Sequence, residues 1–119
     1  MLIDVLRGRK RRAERLRELL LGGHILASCA VTEAEVFAGM RAGEEQATER
    51  LTASLRYYDL VPAAARLAGR LKHDWTRRGK TLSLADCLIA AAALHYRLTL
   101  MTDNVKHYPM PELEVRRPG

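Results

Sequence analysis

The stretch LSLADCLIAAAALHYRLTLMTDN, residues 82–104, combines the most apolar helical segment of the chain with a short apolar strand. Ser83 precedes the apolar run and stands three residues before Asp86, which is the spacing of a capping box. We therefore predict a buried helix over residues 84–96 and a buried strand over 98–102, followed by Asp103 and Asn104. A buried helix that leads into a buried strand is typical of α/β domains with a largely parallel sheet.

Strand and helix signals alternate along the rest of the chain. Glycines and prolines mark most of the boundaries between them. The predicted strands are HILASCAV (24–31), YYDLVP (57–62) and LEVR (113–116), and the predicted helices are 1–8, 10–21, 32–41, 44–56 and 63–78. This order predicts an α/β fold with a mainly parallel sheet in a single domain, residues 1–119.

Composition excludes several classes of protein. Of the 119 residues, 48% are apolar and 29% are charged, which is typical of a globular protein. No segment reaches the roughly 18 apolar residues of a membrane span. The run MLIDVL is too short for a secretory signal. We therefore expect a cytoplasmic protein without membrane contact. Cys29 and Cys87 show no spacing typical of zinc or redox sites, and the histidines show none typical of metal sites.

The chain is basic, with a formal net charge of +6 and an isoelectric point near 9.8. The positive charge is concentrated in RGRKRRAERLR (residues 7–17), which includes Arg11, and in a second cluster of Arg77, Arg78 and Lys80. Such clusters form either a solvated helix face or a surface that binds a polyanion. Composition alone leaves both interpretations open.

Two acidic residues stand near the starts of predicted apolar helices. Thr32 precedes Glu35 as Ser83 precedes Asp86, so helix capping explains each acid taken singly. Both helices, however, look apolar on most sides and should be buried. A buried carboxylate needs a partner, and the positive end of the helix dipole favours its ionised form. An inward-facing, ionised acid is a suitable ligand for a hard divalent cation.

A third acid follows the strand predicted over residues 98–102. In open parallel sheets, ligands bind beyond the carboxyl ends of the strands, and both Asp103 and Glu35 come after predicted strands. We therefore hypothesise that Glu35, Asp86 and Asp103, with Thr102 and Asn104, surround Mg²⁺ or Mn²⁺. Only the fold can decide whether Asp86 faces the same edge.

The order of these motifs resembles a known family. AVTEAEVFAG (30–39), followed by RRGKTLSLADCLIAAAALHYRLTLMTDNVKHYP (77–109), is similar to PIN-domain proteins, specifically the VapC-type toxins of bacterial toxin–antitoxin pairs. The resemblance runs from about residue 1 to residue 116. It implies an α/β/α sandwich with a mainly parallel, five-stranded sheet. It also implies metal-dependent RNA cleavage, usually by a homodimer, and a cognate antitoxin that blocks the site.

The resemblance also implies roles for individual residues. Asp86 would ligate Mg²⁺ or Mn²⁺, and Glu35 would ligate the ion directly or through water, so that the ion activates the attacking water. Asp103 or Asn104 falls at the variable fourth polar position, and Thr102 matches the hydroxyl residue at the strand end. Basic groups such as Arg11 and Arg78 would hold the RNA backbone. Tyr108 matches an aromatic residue that we assign to the core.

The start of the chain departs from the family pattern. The family begins with a strand that ends in a metal-binding Asp, whereas this chain begins Met1-Leu2-Ile3-Asp4, which resembles the segment after that strand. We therefore expect the central strand and the first acid to be missing and the chain to be weakly active and poorly stable. An upstream extension of about ten residues would supply both. The alternative function is an inactive PIN remnant that binds an antitoxin or RNA.

Overall fold

The computed structural model describes residues 2–3, 18–19, 21–23 and 25–117. Short strands form one parallel sheet with the order β3-β2-β1-β4-β5. The strands are β1 (Leu2–Ile3), β2 (Ala27–Cys29), β3 (Arg56–Tyr58), β4 (Leu100–Met101) and β5 (Val115–Arg116). The helices with bounds inside these ranges are α1 (Ala30–Ala38), α2 (Glu45–Ala53), α3 (Pro62–Arg77) and α4 (Leu84–His95), followed by a 3-10 turn at Val105–His107. Residues 18–19 and 21 are also helical, within the helix predicted over 10–21, whose other residues lie outside the described ranges.

The central strand is present, and the prediction that it is missing is wrong. Strand β1 pairs with β2 on one side and with β4 on the other, in the registers Leu2 with Ala27 and Ile3 with Met101. The prediction of a helix over residues 1–8 is also wrong for these two residues. Their pairing satisfies backbone groups of β2 and β4 that an open gap in the sheet would leave without partners. The expected absence of the first acid stays untested, since Asp4 lies outside the described residues.

Both faces of the sheet are buried, as expected for a three-layer sandwich. Successive residues of a strand point to opposite faces. Leu100 accordingly packs in a cluster with α4, whereas Met101 packs in a second cluster with Val36 of α1 and Leu55. The helices therefore cover the sheet from two sides, and the predicted α/β fold with a parallel sheet is confirmed.

Helix α4 forms the centre of the larger cluster. Ser83 caps it, because the Ser83 Oγ accepts the Asp86 N–H at 3.0 Å. The helix then buries an almost continuous run that ends in four consecutive alanines, 90–93. These small side chains allow close packing against α3, whose Ala68 lies in the same cluster. The predicted span of 84–96 agrees with the observed helix to one residue.

Helix α1 begins two residues earlier than predicted. Its N-cap is Cys29, the last residue of β2, and Cys29 makes no side-chain cap. Thr32 therefore lies inside the first turn, where its Oγ1 is 3.7 Å from Cys29 Sγ, so the predicted capping box of Thr32 and Glu35 is wrong. The strand predicted over 24–31 is correspondingly shorter, because Cys29 is extended and the chain turns into the helix at Ala30.

The remaining boundaries shift by up to four residues. Pro62 begins α3 at a position where its missing N–H is not needed. Gly79 follows the end of α3 with φ +87°, a conformation that glycine adopts without strain, so the predicted stop is confirmed. The outer strands β3 and β5 are also shorter than predicted.

Candidate functional site

The exit of β4 forms a fixed turn at the carboxyl edge of the sheet. Thr102 is buried, and its Oγ1 accepts the Asn104 N–H at 3.0 Å. Arg117 donates from Nη1 to the Asp103 carbonyl at 3.2 Å, and the Thr102 N–H donates to the Arg116 carbonyl at 2.9 Å. The polar segment 102–104 is thus held by a hydrogen bond within its own turn and by hydrogen bonds with Arg116 and Arg117.

Asp86 lies in the first turn of α4, with only 5% of its surface exposed. Its carboxylate is contacted on both oxygens. Tyr108 donates from its hydroxyl to Asp86 Oδ1 at 3.2 Å, and Nδ1 of His107 lies 3.3 Å from Oδ2. The carboxylate is therefore held in one orientation at the start of a helix, where the helix dipole favours its charge.

The 3-10 turn brings these two contacts to Asp86. The His107 N–H donates to the Asn104 carbonyl at 2.9 Å, and the Tyr108 N–H donates to the Val105 carbonyl at 3.0 Å. Lys80, from the segment that leads into α4, donates from Nζ to the Lys106 carbonyl at 3.1 Å. The turn consequently connects the exit of β4 to the start of α4 and places Asp86 at the same edge of the sheet as Asp103.

The other two predicted acids occupy neighbouring elements. Glu35 is half-buried on α1, which packs against α4, and Asp103 is half-buried after β4. Across residues 25–117 and the short described segments before them, no three acidic, histidine or cysteine side chains form a cluster that could hold a metal ion. The structure therefore places Glu35, Asp86 and Asp103 on adjoining elements without assembling them into a complete ligand set.

The donor chemistry at this edge nevertheless fits a hard cation. Carboxylate, hydroxyl and amide oxygens from Asp86, Thr102 and Asn104 stand on the elements that meet here, and Mg²⁺ and Mn²⁺ prefer such oxygen ligands. In the sequence, Asp4 directly follows β1, the strand between β2 and β4.

The thiol beside Asp86 is not part of this chemistry. Burial raises the pKa of Cys87, the Lys72 ammonium acts in the opposite direction, and the Asp86 carboxylate raises the pKa further. The thiol therefore stays protonated near neutral pH and is a poor nucleophile. Cys29 and Cys87 are both buried and form no disulfide.

The predicted basic residues have different outcomes. Arg11 lies outside the described residues. Arg78 is the C-cap of α3, and its guanidinium carbon is 4.7 Å from the centre of the Trp75 ring, so part of this side chain packs against the helix end. Lys80 and Lys106, which the sequence analysis did not select as site residues, are exposed beside the turn that contacts Asp86.

His107 and Tyr108 are the site residues that sequence reasoning missed. The spacing of the histidines indicates no metal site, and the sequence analysis assigns Tyr108 to the core. Tyr108 is indeed buried, with 3% of its surface exposed, but its hydroxyl faces Asp86, 22 residues earlier in the chain. No spacing signal connects positions so far apart, although the position of NVKHYP directly after a strand end would have justified closer attention.

Comparison with known proteins identifies the family. Residues 1–112 match the PIN domain. The chain belongs to the PIN-domain family. This PIN domain is 33% identical over 113 residues to a protein named Ribonuclease VapC19 from Mycobacterium tuberculosis, with 94% of this chain and 90% of that protein covered. It is 40% identical over 87 residues to Ribonuclease VapC10 of the same species, with 73% of this chain and 65% of that protein covered.

Solved structures agree with the fold of this PIN domain. The chain superposes on a crystal structure of DNA-bound VapBC from Salmonella typhimurium with a TM-score of 0.79. The identity is 19%, and the match covers 99% of this chain and 97% of that one. At this identity the likeness shows the fold alone. None of the described helices is long and apolar enough to cross a membrane.

Proposed function

We propose that this PIN domain is a metal-dependent endoribonuclease, the toxin of a toxin–antitoxin pair, which hydrolyses phosphodiester bonds of RNA. The observation that carries the proposal is the similarity along 94% of the chain to a relative named as a VapC ribonuclease. The buried Asp86 carboxylate at the carboxyl edge of a parallel sheet supports it, because this edge is where α/β proteins bind ligands.

Asp86, Glu35 and Asp103 are the proposed ligands of Mg²⁺ or Mn²⁺. When bound, such an ion supplies a more acidic water as the nucleophile and offsets charge on the attacked phosphate. Ser83 caps the helix that carries Asp86 by accepting the Asp86 backbone N–H.

Thr102 and Asn104, the other polar residues at this edge, are the proposed substrate-binding residues. The Asn104 backbone is held by the Thr102 hydroxyl, which fixes the turn beside the scissile phosphate.

RNA is the proposed substrate because the basic surface next to Asp86 suits a polyanion. Lys80 and Lys106 are exposed at the turn. Arg78 directly precedes the segment 79–83, which leads into α4. Together with Arg11, these side chains would neutralise backbone phosphates without regard to sequence. The net charge of +6 acts in the same direction at longer range.

The proposed partners are a cognate antitoxin and a second copy of the chain. Solved structures with the same fold include a VapBC-1 structure from Haemophilus influenzae, which superposes with a TM-score of 0.78 at 21% identity. An antitoxin that covers the carboxyl edge would prevent RNA from reaching Asp86. The cytoplasm, where RNA substrates are found, is the proposed location.

Cleavage of a labelled RNA tests the proposal directly. The purified chain should cleave with Mg²⁺ or Mn²⁺ and stop when EDTA is added. Asp86→Asn should lower the rate about 100-fold or more, because a metal ligand supplies several kcal/mol of transition-state stabilisation. Asp74→Asn is the matched control, since Asp74 is an exposed acid on α3 that pairs with His73. Equal rates for the wild type and Asp86→Asn would contradict the proposal.

A further variant tests the acid next to the central strand. Asp4→Asn should lower the cleavage rate if the position after β1 supplies a ligand, as the placement of that strand favours. If Asp4→Asn cleaves as fast as the wild type, the first acid is missing from this chain, as the resemblance implied. A folded chain that binds RNA and metal but never cleaves would favour the alternative, an inactive PIN remnant.

A further inference from the structure

Tyr108 makes a contact that its assignment to the core does not explain. Its ring packs in the larger cluster with residues of α4, yet its hydroxyl is directed at Asp86 Oδ1, 3.2 Å away. A phenylalanine could fill the same apolar space. The hydroxyl is therefore the group that distinguishes Tyr108 from phenylalanine here, and it is the group that contacts Asp86.

The geometry around Asp86 leaves its carboxylate little freedom. The residue is 5% exposed, its N–H is bonded to Ser83, and both carboxylate oxygens are contacted by the consecutive residues His107 and Tyr108. His107 is 53% exposed, so its contact with Oδ2 is open to water, whereas the contact of Tyr108 is buried. Of the two contacts, that of Tyr108 is the better shielded and the better fixed.

We infer that Tyr108 is a positioning residue, which orients the Asp86 carboxylate for metal binding through its hydroxyl. This inference rests on the proposed function. A carboxylate oxygen has two acceptor sites, so Oδ1 can accept the Tyr108 hydrogen bond and still ligate an ion. Groups that hydrogen-bond a metal ligand fix its orientation, and their loss typically costs 10- to 100-fold in metal affinity or activity.

Tyr108→Phe removes the hydroxyl and keeps the ring. The matched control is Tyr96→Phe, because the Tyr96 hydroxyl donates to the Asp59 carbonyl at 2.6 Å at the opposite end of α4. Binding of Mn²⁺ to the full chain, measured by electron paramagnetic resonance of the free ion, gives an affinity that does not depend on cleavage. Thermal unfolding of each variant measures any general loss of stability.

We expect Tyr108→Phe to weaken Mn²⁺ binding by about 10-fold or more and to raise by a similar factor the Mg²⁺ concentration needed for half-maximal cleavage. Tyr96→Phe should change neither quantity. In an Asp86→Asn background, Tyr108→Phe should have no further effect on Mn²⁺ binding, since the carboxylate it orients is gone. Unchanged Mn²⁺ affinity in Tyr108→Phe would overturn the inference.

The two proposals fail in different ways. If Asp86→Asn abolishes cleavage but Tyr108→Phe binds Mn²⁺ as the wild type does, the ribonuclease proposal stands and Tyr108 belongs to the core alone. If Asp86→Asn keeps the wild-type Mn²⁺ affinity, Asp86 is not a ligand, and both the metal site and the role of Tyr108 are overturned. If Tyr108→Phe lowers stability no more than Tyr96→Phe but loses Mn²⁺, the inference is supported.

Discussion

Asp86 takes part in two kinds of interaction that use different atoms. Its backbone N–H donates to Ser83 and completes the start of α4, while its carboxylate contacts Tyr108 and His107. Helix capping and metal binding are therefore compatible at one residue. The question that the sequence left open, whether this acid belongs to a cap or a site, has no exclusive answer.

The buried hydroxyl of Ser28 should lower the stability of the folded protein. It is fully buried in β2, and among the described residues its Oγ has no hydrogen-bond partner. Ser28→Ala should therefore raise the free energy of unfolding by about 1 kcal/mol, measured by urea denaturation. Thr48→Val is the control, because the buried Thr48 hydroxyl is bonded to the Glu44 carbonyl and its removal should bring no gain. A loss of stability in Ser28→Ala would contradict this prediction.

Cys87 should make the stability depend on alkaline pH. Its pKa is raised above the ordinary value of 9.0, chiefly by burial, so the folded state keeps a proton that the unfolded state loses. This contribution to stability is fully present below pH 9.0 and is lost as pH rises through the folded-state pKa. Urea denaturation at about pH 8 and about pH 10 should show a smaller loss for Cys87→Ala than for the wild type. Equal losses would show that Cys87 does not contribute.

At the scale of elements, the segment from Gly79 to Asp86 connects two helices and the site. Gly79 follows the end of α3, Lys80 donates from Nζ to the Lys106 carbonyl, and Ser83 is the N-cap of α4. The cap fixes where α4 begins and therefore where Asp86 stands relative to Tyr108. Local chemistry at the helix start thus sets the geometry of the candidate site.

Ser83→Ala should destabilise the protein by about 1 kcal/mol, the usual cost of losing a helix N-cap. It should also weaken Mn²⁺ binding, because the first turn of α4 that carries Asp86 becomes less ordered. Ser54→Ala is the matched control, since the exposed Ser54 hydroxyl bonds the Leu51 carbonyl at the end of α2. Denaturation and Mn²⁺ titration of both variants check the prediction, which fails if the two variants behave alike.

At the scale of the whole molecule, the parallel sheet gathers the chemistry. Parallel strands end at the same edge, so residues after β4 and in the helices that follow β2 are brought near each other from distant parts of the chain. The two-residue β1 holds the halves of this sheet together, because β2 and β4 pair through it rather than with each other.

Ile3→Pro tests the importance of that central strand, because Ile3 is registered with Met101 of β4. Each N–H of a strand with neighbours on both sides has a bonding partner, and proline removes one donor and leaves an acceptor unpaired. We expect a loss of about 2 kcal/mol or more in the free energy of unfolding. Ile3→Val, which keeps every backbone group, should change the stability much less. If both variants unfold at the same urea concentration, the pairing of β1 does not contribute to stability.

The sequence by itself determined the fold class, the span of α4 with its Ser83 cap, and the acids Glu35, Asp86 and Asp103 as candidates. These features depend on local periodicity and capping chemistry, which are readable along the chain. Only the tertiary structure decided that Leu2–Ile3 is the central strand and that Tyr108 and His107 contact Asp86. Strand pairing and side-chain contacts between distant residues depend on how elements pack, and local sequence patterns carry no record of that packing.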